Sequence, residues 1–185
     1  MATNSKKNRG PSAGPENRRA LLTAAREVFA ADGFAAPLSA VARRAGVGQG
    51  SLYRHFPDRT ALAIAIFDEN LAQLETFVAR PESTLDDLLD RVIDQALAST
   101  ALIDLVMADA HDPRAVHLDE RLNAIVARLL VREQTAGRIG EHVVVADVIL
   151  AVSMLAGVLA RSDAADRPAV ARRAWGLFHA AFTPH

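Results

Sequence analysis

The chain has 185 residues and a mass of 19.8 kDa, enough for one sizeable core or a small module joined to a larger one, and too little for a large multidomain enzyme. Half of its residues are apolar, 23% are charged and 37 are alanine, a helix-favouring composition that excludes disorder over the whole length. The net charge of -1 conceals a division: ten Lys and Arg face four acids up to residue 60, and eleven face eighteen from residue 61 onward, so a basic head that suits a polyanion precedes an acidic body.

Residues 1–14 contain Lys6, Lys7 and Arg9 with no apolar run behind them. They read as a disordered basic arm and not as a secretory signal. From Pro15 the apolar positions recur at helical spacing. Ala20, Leu21, Ala24, Ala25, Val28 and Phe29 form one stripe of a first helix that Asp32-Gly33 ends. Pro37 suits the first turn of a second helix, Leu38 to Ala45, which Gly46 stops. A third runs from about Gln49 to Phe56, and Pro57-Asp58 precedes a long fourth ending near Arg80. Ser83 and Thr84, with Asp86 and Asp87 three residues on, open a fifth through about Ser99. A short segment follows at Leu102 to Ala110, then a helix from Asp112-Pro113 to about Thr135. The last two run from about Val143 to Arg161 and from Arg167 to Phe182. The expectation is nine helices and an all-α fold: arm 1–14, head domain 15–60, and body 61–185.

Within the head, Val41, Ala45, Val47, Leu52 and Phe56 supply an inward face, and Ala45-Gly46-Val47 makes a sharp corner where a backbone turns without a Cβ. This is helix-turn-helix logic. The second helix of the pair then turns Gln49, Gly50, Ser51, Tyr53, Arg54 and His55 outward, with no acid among them. Amide, hydroxyl and guanidinium groups on a short helix can read base edges in a major groove, whereas carboxylates would be repelled by phosphates.

Residues from about Arg18 to Leu62, and above all the run from Ala45 through Phe56-Pro57-Asp58-Arg59, resemble the DNA-binding domain of TetR-family transcriptional regulators. The resemblance covers about a quarter of the chain. It implies that Gln49, Gly50 and Ser51 lie near bases, that Tyr53 and His55 face phosphates, and that Arg59 adds a phosphate contact at the start of the fourth helix, whose N-terminal amides also favour an anion. Arg54 suits either role, and Ser39 and Arg43 on the second helix flank the DNA. Where the family commonly has threonine before that helix, this chain has Ala36-Pro37. A capping hydroxyl is lost, and proline at the first turn compensates.

Other chemistries find no support in the residues. Gly46-Val47-Gly48-Gln49-Gly50 lacks the Lys-Ser/Thr of a phosphate loop, and no GxSxG or HExxH pattern occurs. His111 and His117 have no ligand-type spacing. The absence of cysteine removes thiolate sites and suits a reducing, cytoplasmic setting. Val143 to Ala160 is apolar but contains Asp147 and reads as a buried helix, so no membrane association is expected. No catalytic residue, metal or cofactor is assigned.

The body is expected to sense a small molecule. Phe67, Leu71, Leu74, Met107, Ile125 and Met154 are the candidate lining of an apolar effector cavity, although each also sits at core spacing. The resemblance implies a homodimer in which the last two helices pair with their copies in a four-helix bundle. The candidate contacts are Ala151, Met154, Leu155, Val158, Trp175, Phe178 and Phe182. The expected function is that of a repressor, released from a palindromic double-stranded operator by its effector. Activation by the same architecture, and a helical adaptor that binds only protein, remain alternatives.

Overall fold

The computed structural model describes residues 14–33, 35–98, 113, 114, 116–163 and 165–184. Among them are eight helices and no strand: α1 Gly14–Asp32, α2 Leu38–Ala45, α3 Gln49–His55, α4 Arg59–Val78, α5 Leu85–Ala98, α6 Val116–Thr135, α7 Val145–Arg161 and α8 Arg167–Phe182. The expected nine helices are thus corrected to eight within the described residues, and the short segment Leu102 to Ala110 lies outside them.

The predicted corner is built as a helix C-cap. Gly46 has φ +66°, a left-handed conformation that a Cβ disfavours. Its N–H donates to Arg43 O at 3.2 Å and the next N–H, of Val47, reaches back to Ala42 O at 3.0 Å, the paired pattern that closes the last turn of a helix. Around this corner α1, α2 and α3 enclose Leu21, Leu22, Phe29, Val41, Leu52 and Phe56, all buried. This head core continues into α4 through Leu62, Ala63, Ala65 and Ile66.

A second core lies between α4, α5, α6, α7 and α8, with Leu71, Leu74, Val78, Leu88, Ile125 and Leu129 among its buried members. A smaller cluster of Leu89, Ile93, Leu155, Leu159 and Ala171 joins α5, α7 and α8. α4 is therefore shared. Its first two turns belong mainly to the head, with Ile64 facing the body core, its later turns belong to the body, and Phe67 packs against both cores.

Local hydrogen bonds set the helix ends. Thr84 and Asp87 form a reciprocal capping box before α5: Thr84 N–H donates to Asp87 Oδ2 at 3.0 Å and Asp87 N–H donates to Thr84 Oγ1 at 3.1 Å. Carbonyls at the end of α4 and in the turn that follows it are collected by Arg132, which donates to Val78 O, Arg80 O, Pro81 O and Ser83 O at 2.7–3.0 Å. The start of α7 differs slightly from the sequence expectation. Asp147 accepts the Val144 N–H at 2.9 Å, so helical structure begins at Val145 and the valine triplet serves as the entry to a helix. α6 begins at Val116, because Pro113 and Arg114 form a turn.

Candidate nucleic-acid interface

α3 is seven residues long and anchored by Leu52, which is buried, and by Phe56 just beyond its end. With those two inward, helical geometry turns Gln49, Gly50, Tyr53 and Arg54 outward, and all four are exposed. Ser51 and His55 are half-buried at the edges of that face. Tyr53 is 51% exposed. Ser39 and Arg43 on α2 are also exposed, and Arg59 at the start of α4 is half-buried.

The structure separates arginines that the sequence could not. Arg44 donates to Glu27 on α1 at 2.6 Å, whereas its neighbour Arg43 points to solvent. Arg54 folds back along its own helix, donating from Nε to Gly50 O at 3.2 Å, which leaves its terminal nitrogens outward. Arg26 pairs with Glu69 at 3.0 Å, and Arg18 lies 3.9 Å from Glu69 and over the Phe56 ring at 5.5 Å. Part of the head's positive charge is therefore directed toward α4. At the N-terminal end of α4, where the sequence led us to expect an anion, one amide is already engaged. Asp58 caps that end, accepting the Ala61 N–H at 2.7 Å, and is itself paired with Arg114 at 3.0 Å.

The candidate effector residues are only partly assembled. Leu71, Leu74 and Ile125 are buried in one core with Phe67 packed against it. Met107 lies outside the described residues. Met154 is corrected: it is 52% exposed on α7 and does not join that group.

The candidate dimer residues divide similarly. Ala151, Leu155 and Phe182 are buried inside the protomer, so its own core already accounts for them. Met154 and Val158 are exposed, and Trp175 and Phe178 are half-buried. The Trp175 indole N–H donates to Asp86 on α5 at 2.8 Å. Sequence reasoning missed Leu150, exposed one turn before Met154, although the spacing 150-154-158 would have revealed a stripe. Leu150 and Met154, with Phe178 and Phe182, line an open groove of about 330 Å³, and Leu177 on α8 is also exposed. Among the described residues, no three His, Cys, Asp or Glu side chains gather to hold a metal ion, and no helix is long and apolar enough to cross a membrane.

A glycine-cornered helix pair with an acid-free outer face, mounted on a helical body, has the form of a helix-turn-helix DNA-binding domain. Residues 21–66 match the family described as bacterial regulatory proteins, tetR family. The chain is similar to a TetR transcriptional regulator from Streptomyces coelicolor, at 29% identity and TM-score 0.67 over 90% of this chain and 98% of that one. It is also similar to a TetR transcription regulatory protein from Mycobacterium vanbaalenii, at 28% identity and TM-score 0.62 over 81% and 96%. A TetR-family regulator from Pectobacterium atrosepticum shares the fold, with 20% identity and TM-score 0.67 over 94% and 95%. No curated protein matches. Together these findings show a tetR-family DNA-binding region at residues 21–66 in a chain whose overall fold is similar to that of TetR regulators.

Proposed function

We propose that the chain binds a palindromic operator as a homodimer and represses transcription until a small apolar effector releases it. The observation that carries this reading is the acid-free outer face of α3, on which Gln49, Gly50, Tyr53 and Arg54 are exposed together. In this reading Gln49 and Ser51 contact base edges, and Gly50 allows the helix close to them. Tyr53, His55 and Arg59 engage phosphates, Ser39 and Arg43 flank them from α2, and the free nitrogens of Arg54 reach either. The basic arm of residues 1–14 adds phosphate contacts. We divide head from body inside α4, not at residue 60, because the head core runs on to Ile66.

A second copy covers Leu150, Met154, Val158 and Leu177 on α7 and α8, with Trp175 and Phe178 at the margin. Paired about a two-fold axis, the α3 helices then sit roughly 34–36 Å apart, one turn of duplex. An effector entering beside Phe67, Leu71, Leu74 and Ile125 would press on α4. Since α4 also carries part of the head core, a state that suits the effector alters head separation and shifts the population away from DNA.

The test is duplex selection from a random pool followed by titration. Gln49→Ala should flatten discrimination at one base position by ~1–3 kcal/mol, while Tyr53→Phe should weaken selected and unselected duplexes alike. Unchanged base preference in the Gln49 variant would remove the assigned reading head, and a wild-type chain that retains no duplex at low salt would remove the function.

A further inference from the structure

α4 carries two adjacent carboxylates, Asp68 and Glu69, that engage partners on different sides. Glu69 binds the head: its Oε2 accepts from Arg26 Nη2 at 3.0 Å and its Oε1 lies 3.9 Å from Arg18 Nη1, both on α1. Arg26 also donates to Asn70 Oδ1 at 3.2 Å. Asp68 binds the body: its Oδ1 lies 2.9 Å from Arg121 Nη1 and 2.8 Å from His117 Nε2, both on α6. The same Arg121 grips Glu75, two turns further along α4, through Nε at 2.7 Å and Nη2 at 2.9 Å. Arg114, just before α6, makes a third tie to α4 at Asp58. Immediately before the carboxylate pair, Phe67 touches the head core and the body core.

We propose that Asp68 and Glu69 form an electrostatic joint through which α6 sets the orientation of the head, with Arg121 as its positioning residue. The physical reason lies in what each kind of contact can specify. Apolar packing around Phe67 holds the two cores together but is non-directional, so it tolerates small rotations of α4. A planar guanidinium bound to one carboxylate through two nitrogens and to a second through a third nitrogen fixes both position and angle. Arg121 thereby holds two turns of α4 in one register against α6, and Glu69 passes that register to α1. The Glu75 carboxyl is held below its ordinary range, and the Arg121 guanidinium above its own, chiefly by their mutual hydrogen bonds. Partly exposed ion pairs of this kind add little to total stability. Their use here is angular.

The consequence for DNA rests on the regulator reading above, but the joint itself is measurable without DNA. The chain has no cysteine, so spin labels at Ala30→Cys on α1 and Val131→Cys on α6, both exposed sites, report head-to-body distance by pulsed electron resonance in full-length protein diluted with unlabelled chain. Arg121→Gln should at least double the width of the distance distribution. Arg121→Lys, which keeps the charge but loses the fork, should give an intermediate width. If the two carboxylates act in series, Glu69→Gln combined with Arg121→Gln should broaden it no more than the larger single change. An unchanged distribution in both Arg121 variants, or fully additive broadening in the pair, overturns the joint. On duplex selected by the wild-type chain, Arg121→Gln should lose at least fivefold in affinity while binding to random duplex stays within twofold. Equal loss on both overturns its role in placing the heads. A wild-type chain that binds no duplex overturns the functional reading and leaves the distance result standing.

Discussion

Gly46 illustrates how one residue can decide the geometry of a site. Nothing lies within 4 Å of the Cβ that another residue would place there, so steric exclusion is not what requires glycine. The requirement is the backbone itself, at φ +66°. Gly46→Ala should cost about 1 kcal/mol, measured by urea unfolding, and should lower affinity for all duplexes by tilting α3 against α2. Gly50 provides the contrast. It lies in helical backbone, with open space around its missing Cβ, so Gly50→Ala should leave stability unchanged or slightly raised while reducing operator affinity if that face lies close to bases. Destabilisation by the Gly50 change equal to that of the Gly46 change would contradict this division of roles.

At the scale of an element, α4 holds the most information and was the hardest to read in the sequence. Its apolar positions announced a long helix, yet nothing in their period said that the first two turns would belong mainly to one core and the later turns to another. Nor did the sequence mark its carboxylates as bridges, yet Asp68, Glu69 and Glu75 are all paired. The pairing has a predictable pH signature. Hydrogen bonding from Arg121 lowers the Glu75 pKa from its ordinary 4.5 in the folded state, so the interaction adds stability above that value and loses it as pH falls through the lower, folded one. Asp87 behaves likewise at the Thr84 cap, below its ordinary 3.8. Glu75→Gln should therefore be less stable than wild type near neutrality, and the two should converge in acid once pH falls below the lowered pKa of folded Glu75. Urea titrations at both pH values would check this, and a gap that persists in acid would mean that the lost contact is not the ionised one.

At the scale of the whole molecule, the exposed apolar stripe on α7 and α8 is the feature that a single copy leaves unexplained. Leu150, Met154, Val158 and Leu177 are each 47–67% exposed; the first three follow one another at single-turn spacing on α7, and an apolar stripe of that kind marks a contact surface. In the proposed dimer, replacing Leu177 with glutamate would place a charge in the contact between copies. Leu177→Glu should weaken self-association by at least tenfold in sedimentation equilibrium, with helicity retained, and should reduce affinity for a palindrome more than for one half-site. A wild-type protein sedimenting as a monomer at micromolar concentration would contradict the proposed assembly.

The sequence by itself determined the head, because its signals are local. A glycine in a left-handed turn, a proline at a first turn, a run of outward polar residues without an acid and a 3.6-residue apolar period all act within a few residues of one another. Only the tertiary structure decided which arginines face outward, which residues of the last two helices the protomer buries, and how α4 is held. Arg121 meets Glu75 across 46 positions and Asp68 across 53. Periodicity identifies a face, but it carries no information about which distant element covers it, because that depends on how the helices pack together in three dimensions.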